Sequence, residues 1–239
     1  MKPLWSILIA MLAAPAAAVT CEDIDHKGSS YSICTVDATT ENLSLYLDDA
    51  TGTPYGSFAN IAASLDVQSL VFAMNAGMYH DNRAPVGFYR EDGADRMRLI
   101  TNPGPGNFGL LPNGLLCITD TRAMVYETLA FEADQPDCPS GTQSGPMLVI
   151  DGDLHPRFLP DGTSKNIRNG VGATANGDRA VFAISNDTVN FHDFGTLFRD
   201  RLNLPNALYF DGRVSRLHAT DLNRSDRGPR MGPIVAVTE

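Results

Sequence analysis

The sequence predicts an α+β fold in a single domain, with a mixed, mostly antiparallel sheet and about two packed helices. Three observations predict it. Short apolar or alternating runs recur from end to end, each punctuated by Gly, Asn, Asp or Pro. Two stretches carry apolar residues at helical spacing. No internal repeat, low-complexity linker or block of like charge divides the chain, and the hairpin-length connections favour antiparallel pairing.

The elements follow in order. Residues 1–18 read as a secretory signal: Lys2 is the positive start, Leu4 to Ala14 the apolar run, and Ala16-Ala17-Ala18 an A-x-A cleavage site. The mature domain is then 19–239. Leu43-Ser44-Leu45-Tyr46-Leu47 alternates with period two, as a half-buried strand does. Tyr55 to Leu65 places Phe58, Ile61, Ala62 and Leu65 at helical spacing. Ser69 to Met74 is a buried strand that runs into Asn75-Ala76-Gly77. Pro85 to Arg90, Arg96 to Ile100 and Phe108 to Leu111 read as short strands. Asn-Gly turns at Asn113-Gly114 and Asn176-Gly177 predict hairpins, into Leu115–Thr119 and between Val171–Thr174 and Ala180–Ser185. Asp151-Gly152-Asp153 turns the strand Met147–Ile150 in the same way. A second helix opens at Thr188, carries Phe191, Phe194, Leu197, Phe198 and Leu202 on one face, and stops at Pro205. Ala207 to Phe210 is a buried strand broken at Asp211-Gly212, and Ile234 to Val237 closes a sheet.

Composition narrows the partners. With 43% hydrophobic and 19% charged residues the chain supports a packed core. A net charge of −10 argues against nucleic acid and against anionic membrane surfaces, and no segment is long enough for membrane insertion. Oligomeric state is left open. Four cysteines in the mature chain fit an oxidising compartment, so localisation is expected to be periplasmic or secreted. Of the three pairings they allow, the local one, Cys21–Cys34 with Cys117–Cys138, staples the N-terminal segment and closes one internal loop.

Candidate chemistry lies where polar residues and glycines follow buried strands, since a strand end holds a group rigidly and glycine lets backbone approach a ligand. Four such places stand out: Asn75-Ala76-Gly77, Gln143-Ser144-Gly145, Arg168-Asn169-Gly170 and Asp211-Gly212. Asp211 is the best single acid, because partial burial at a strand end raises a carboxylate's pKa toward general-acid use. Asp187, between a strand and a helix, is the candidate second carboxylate; its structural alternative is a helix cap. Two carboxylates and an arginine suit cleavage of a glycosidic bond beside a phosphate. The five histidines have no metal-site spacing, and Ser144 is one place late for a G-x-S-x-G elbow. No cofactor is required by any motif, while a divalent cation, calcium or magnesium, is left open.

In order along the chain, Phe72-Ala73-Met74-Asn75-Ala76-Gly77-Met78-Tyr79, Pro85-Val86-Gly87-Phe88-Tyr89, Leu111-Pro112-Asn113-Gly114, Gln143-Ser144-Gly145-Pro146, Arg168-Asn169-Gly170-Val171-Gly172 and Asn206-Ala207-Leu208-Tyr209-Phe210-Asp211-Gly212 with Ser215 resemble the phosphodiester glycosidase family. That family includes the catalytic domain of the lysosomal uncovering enzyme. The resemblance spans about residues 40–237 and implies an α+β fold with one active site at strand ends. It also implies hydrolysis of a sugar-1-phosphodiester, which releases the sugar and leaves a phosphomonoester. Carried onto this chain, it implies that Arg168 clamps phosphate and Asp211 with Gly212 forms the acid-bearing strand end. Asn75, Gln143 and Ser215 orient sugar or phosphate oxygens, and Gly77 and Ser144 lie in the same binding turns. The chain departs from the family at Gly212-Arg213, where a second glycine is common. The expected partner is a sugar-1-phosphodiester or an envelope glycan. Cleavage of the P–O bond by a phosphodiesterase, and a non-catalytic glycan-binding module, stand beside this reading as alternatives.

Overall fold

A computed structural model describes residues 19–65 and 69–239. The signal segment at 1–18 lies outside the described residues. The first elements are β1 (Thr20–His26), β2 (Ser29–Asp37), β3 (Asn42–Tyr46), α1 (Phe58–Ser64), β4 (Leu70–Asn75), β5 (Tyr89–Glu91), β6 (Ala94–Met97), β7 (Gly114–Thr119) and β8 (Arg122–Glu127). There follow α2 (Thr128–Asp134), β9 (Ser140–Ser144), β10 (Met147–Ile150), β11 (Asp153–Leu154), β12 (Asn169–Ala173) and β13 (Arg179–Ser185). The chain ends with α3 (Phe191–Thr196), which runs on as a π-turn over Leu197–Arg201, then β14 (Asn206–Asp211), β15 (Leu217–Ala219), β16 (Arg224–Ser225) and β17 (Ile234–Thr238). Among the described residues no helix is long and apolar enough to cross a membrane.

Three sheets share one core. The largest has the order β1-β2-β13-β12-β14-β10-β11, the second β16-β15-β4-β17-β3, and the third β6-β5-β9-β7-β8. Every pairing among these strands is antiparallel. Period-two alternation sends one set of side chains inward: Phe182, Phe210, Phe72, Met74, Val235, Leu116 and Val125 meet in a single buried cluster. The alternate residues face outward, and each outer face is covered by one helix. Phe194 and Phe198 of the third helical segment seal Tyr31, Ala183 and Tyr209 of the first sheet. Phe58 and Ile61 of α1 cover Ala73, Ile234 and Ala236 of the second. Phe131 of α2 packs on Phe88, Leu115 and the Cys117–Cys138 pair of the third. The other disulfide, Cys21–Cys34, joins residues directly opposite in the β1–β2 hairpin.

Local chemistry accounts for most boundaries. Ser57 caps α1 by accepting from the Asn60 N–H at 3.2 Å. The last helix opens at Phe191 and not at Thr188, because Asn190 is its cap and accepts from the Asp193 N–H at 2.8 Å. Asn176-Gly177 makes its hairpin between β12 and β13, with Gly177 at φ +73°. Asp151-Gly152 does so between β10 and β11, with φ 48° and 89°.

Two expectations are corrected here. Phe108–Leu111 is a turn, since the 104–110 loop folds on itself (Gly104 N–H to Gly109 O, 3.3 Å) and the Asn113 amide donates to Phe108 O at 2.9 Å. Asn113-Gly114 therefore makes no hairpin; Asn113 is buried and Gly114 starts β7.

Candidate active site

Three strand ends converge on one side of the core. Asn75 closes β4, Asn169 opens β12 and Asp211 closes β14. The β12–β14 register slips between Asn169 and Gly170, setting Asn169 opposite Asp211 and Gly170 opposite Tyr209. Such a bulge re-aims the side chains at the strand end. Asn75 and Asn169 are fully buried and face each other amide to amide. The Asn169 amide donates to the Asn75 side-chain and backbone oxygens at 3.0 and 3.1 Å, and the Arg216 N–H donates to Asn75 Oδ1 at 2.9 Å. Asn169 Oδ1 in turn accepts the Asp211 N–H at 3.2 Å. Ser215 Oγ lies 2.7 Å from Asp211 O, 3.0 Å from Ile167 O and 3.3 Å from Asn169 Oδ1. Asn75 and Ser215 are thus support for the strand end that carries Asp211. Their polar groups are satisfied inside the protein, and the structure does not bring them to the cleft.

The cleft itself, about 370 Å³, opens beside this network. Asp211 is the one carboxylate among its lining residues, which include Tyr79, Asn107, Asn166, Tyr209, Gly212 and Arg213. Burial pushes the Asp211 carboxyl above its ordinary value of 3.8, opposed by the Arg213 and Gly212 N–H groups and the Arg213 charge. The Arg213 N–H donates to Asp211 Oδ1 at 2.7 Å. Tyr79 is also raised, by burial first and then by the charge of Asp211, while Arg83 and Arg216 act the other way. Arg83 lies over the Tyr79 ring, 5.5 Å from its centroid. Arg213 is the one arginine among the residues that line the cleft, and Arg216 is buried.

Behind the cleft sits Arg168, 1% exposed. Its Nε donates to Val189 O and its Nη2 to Ser164 O, both at 2.9 Å, while Nη1 is buried without a hydrogen-bond partner. The guanidinium stacks 3.6 Å from the centroid of Phe191, which meets the Tyr209 ring edge-on at 4.8 Å. Burial lowers the Arg168 pKa, and the neighbouring Tyr209 phenol offsets part of that. None of the ion pairs among the described residues uses Arg168. A buried guanidinium without an ion-pair partner is costly, which marks Arg168 as a candidate functional group.

The remaining candidates are placed elsewhere. Gln143 lies inside β9, with its oxygen accepting from Phe88 and Ile100 N–H at 3.0 Å each and its amide donating to Ile100 O and Thr128 Oγ1 at 2.7 and 3.1 Å. All four of its hydrogen-bonding positions are satisfied, so it ties loops together and orients no ligand. Ser144 donates to Phe210 O at 2.7 Å, joining β9 to β14. Gly77 packs where a Cβ would strike the Gln143 carbonyl and Thr142 Oγ1. Asp187 is exposed and accepts from the Ser30 N–H at 2.9 Å on the N-terminal hairpin. It does not line the cleft. Conversely, Tyr79, Tyr209 and Asn169 stand within the motifs of the sequence but carry no assigned role there. The signal for Tyr209 was its place two residues before Asp211 on one strand; it reads more simply as a core aromatic.

Among the described residues no three His, Cys, Asp or Glu side chains gather as a metal site. Comparison with known proteins bears on what the cleft belongs to. The chain is 33% identical over 215 residues, 89% of this chain and 84% of the relative, to the uncharacterized protein YigE of Escherichia coli (strain K12). Its fold resembles the zebrafish N-acetylglucosamine-1-phosphodiester alpha-N-acetylglucosaminidase catalytic domain auto-inhibited by its pro-peptide, with TM-score 0.61 at 15% identity, over 93% of this chain and 82% of that one. A hypothetical protein from Synechocystis matches with TM-score 0.59 at 13% identity; 94% of this chain is covered, but less than two thirds, 64%, of that one. At such identities these two likenesses establish the fold alone. The profile of the phosphodiester glycosidase family matches residues 68–230, more than half the sequence and the stretch that holds every strand end converging on Asp211. On that match, the chain belongs to the phosphodiester glycosidase family.

Proposed function

We propose that the protein is an exported hydrolase that breaks the glycosidic C–O bond of a sugar-1-phosphodiester. The observation that carries this reading is a cleft whose one lining carboxylate is desolvated and lies beside Arg213. Cleavage of an ordinary glycoside calls for two carboxylates, because the departing alcohol needs a proton. A phosphomonoester is a better leaving group: its second pKa is about 6, so it departs as the dianion without one. One base and a nearby cation then suffice. Asp211 takes a proton from the water that attacks C1, the C1–O bond breaks, and its electron pair leaves on the phosphate oxygen. The products are the free sugar and a phosphomonoester. Burial raises the basicity of Asp211 toward the working pH, and the Arg213 guanidinium opposes the charge that gathers on the phosphate.

The test is release of GlcNAc from UDP-GlcNAc or another GlcNAc-1-phosphodiester by the purified mature protein. Asp211→Asn is expected to lower turnover by ~10²- to 10⁴-fold with the fold intact. In oxygen-18 water the label should enter the sugar. Label in the phosphate would replace this reading by P–O cleavage. Glycan binding that survives Asp211→Asn, with no turnover in the wild type, would make the protein a binding module.

Export is supported by the signal-like residues 1–18 and by two disulfides, which persist in oxidising compartments. Envelope glycopolymers joined through sugar-1-phosphate are then the substrate class within reach. Mass spectrometry of the protein recovered from the periplasm or medium should give an N-terminus at Val19. An intact N-terminus would refute cleavage after Ala18.

A further inference from the structure

We propose, building on the reading of the cleft as a phosphodiester site, that Tyr209 is the residue that binds the phosphate, and that Arg168 is a positioning residue acting through it. The Tyr209 hydroxyl donates to a non-bridging phosphate oxygen. Arg168 fixes that ring from behind.

Four observations point this way. Tyr209 and Arg168 are both 1% exposed, but of the two it is Tyr209 that lines the cleft with Asp211. The two are locked together through one ring: Phe191 stacks on the guanidinium at 3.6 Å and meets Tyr209 edge-on at 4.8 Å. The guanidinium also lies over the Tyr209 ring itself, 5.4 Å from its centroid. Finally, a Cβ at position 212 would strike the Tyr209 hydroxyl, so the glycine after Asp211 makes room for the phenol beside the carboxylate. Burial holds the phenol pKa above its ordinary value, so the group stays protonated and remains a donor at neutral pH. A phosphate gaining charge as C1–O breaks is the acceptor that benefits most from such a fixed donor.

The experiment uses the mature protein with two readouts. Turnover of UDP-GlcNAc is measured beside calorimetric binding of inorganic phosphate and, separately, of GlcNAc. Tyr209→Phe keeps the ring on Phe191 and deletes only the hydroxyl. It is expected to lower kcat/KM by ~10²-fold, chiefly in kcat, and to weaken phosphate binding while GlcNAc binding is unchanged. Arg168→Lys should lower kcat/KM in the wild-type background and add little to Tyr209→Phe. Circular dichroism and melting temperature confirm that each variant is folded. Wild-type phosphate binding and turnover in Tyr209→Phe would overturn the inference and leave the proposed activity standing. Additive losses for the two variants would overturn the positioning role of Arg168. A wild type that neither turns over the substrate nor binds phosphate would overturn the activity, and the inference with it.

Discussion

Asp211 is set by opposing neighbours: burial disfavours its charge, while two backbone N–H groups and Arg213 favour it, and burial prevails. The consequence for stability has a definite sign. A carboxyl whose folded pKa is raised binds its proton more tightly folded than unfolded. Its contribution is therefore best below the ordinary value of 3.8 and declines as pH rises from there through the folded value. Asp211→Asn removes that loss, so at neutral pH the variant should melt higher than the wild type. The difference should vanish below 3.8, where both side chains are neutral. The same shift places the acid limb of the kcat/KM profile above 3.8. Thermal melts and rates over one pH series read both; an equal or lower melting temperature for the variant at neutral pH would show that Asp211 is not penalised by burial. At this scale Asp211 was legible, because an acid after an apolar run is conspicuous. Gln143 was misread: beside Gly145-Pro146 it looks like a turn residue, and only its four internal partners show that it holds loops together.

Elements differ in how far their residues announce them. The runs 70–75, 207–210 and 234–237 are apolar and were legible as buried strands. Ser140-Gly141-Thr142-Gln143-Ser144 has no hydrophobic signal, yet it is a fully buried strand between β5 and β7. Hydrogen bonds from its polar side chains substitute for apolar burial, and no period can reveal that. The same strand fixes Gly77, whose N–H donates to Thr142 Oγ1 at 3.3 Å. Gly77→Ala forces a methyl against the β9 backbone, which cannot swing aside as a long side chain would. A loss of about 1–3 kcal/mol is expected in urea unfolding. A variant as stable as the wild type would show that the turn relaxes freely.

Across the whole molecule the two disulfides constrain unequal amounts of chain. Cys117 and Cys138 are 21 residues apart and tie β7 to the segment after α2. Removing this bridge as Cys117→Ser with Cys138→Ser should cost about 3 kcal/mol by the chain-entropy estimate. The Cys21–Cys34 bridge joins residues that the β1–β2 hairpin already sets opposite each other, so its removal should cost less. Chemical unfolding of the two double variants compares them directly; the reverse order would show that the hairpin is held by its disulfide and not by its pairing with β13. The charge distribution also belongs to this scale. The chain is acidic, yet the cleft where the strand ends meet sets Arg213 beside its one lining carboxylate.

The sequence by itself determined the α+β class, the family and the position of Asp211, because these depend on local period, turn chemistry and an ordered set of short motifs. Tertiary structure decided the rest. Asn75, Asn169 and Ser215 became a buried support, Asp187 came to accept a hydrogen bond from the N-terminal hairpin, and Tyr209 joined the cleft wall with Arg168 behind it. Each outcome depends on which residues from distant strands are brought opposite one another. A polar side chain at a strand end has the same sequence signature whether it faces a ligand or satisfies another buried amide, and only the register between strands tells the two apart.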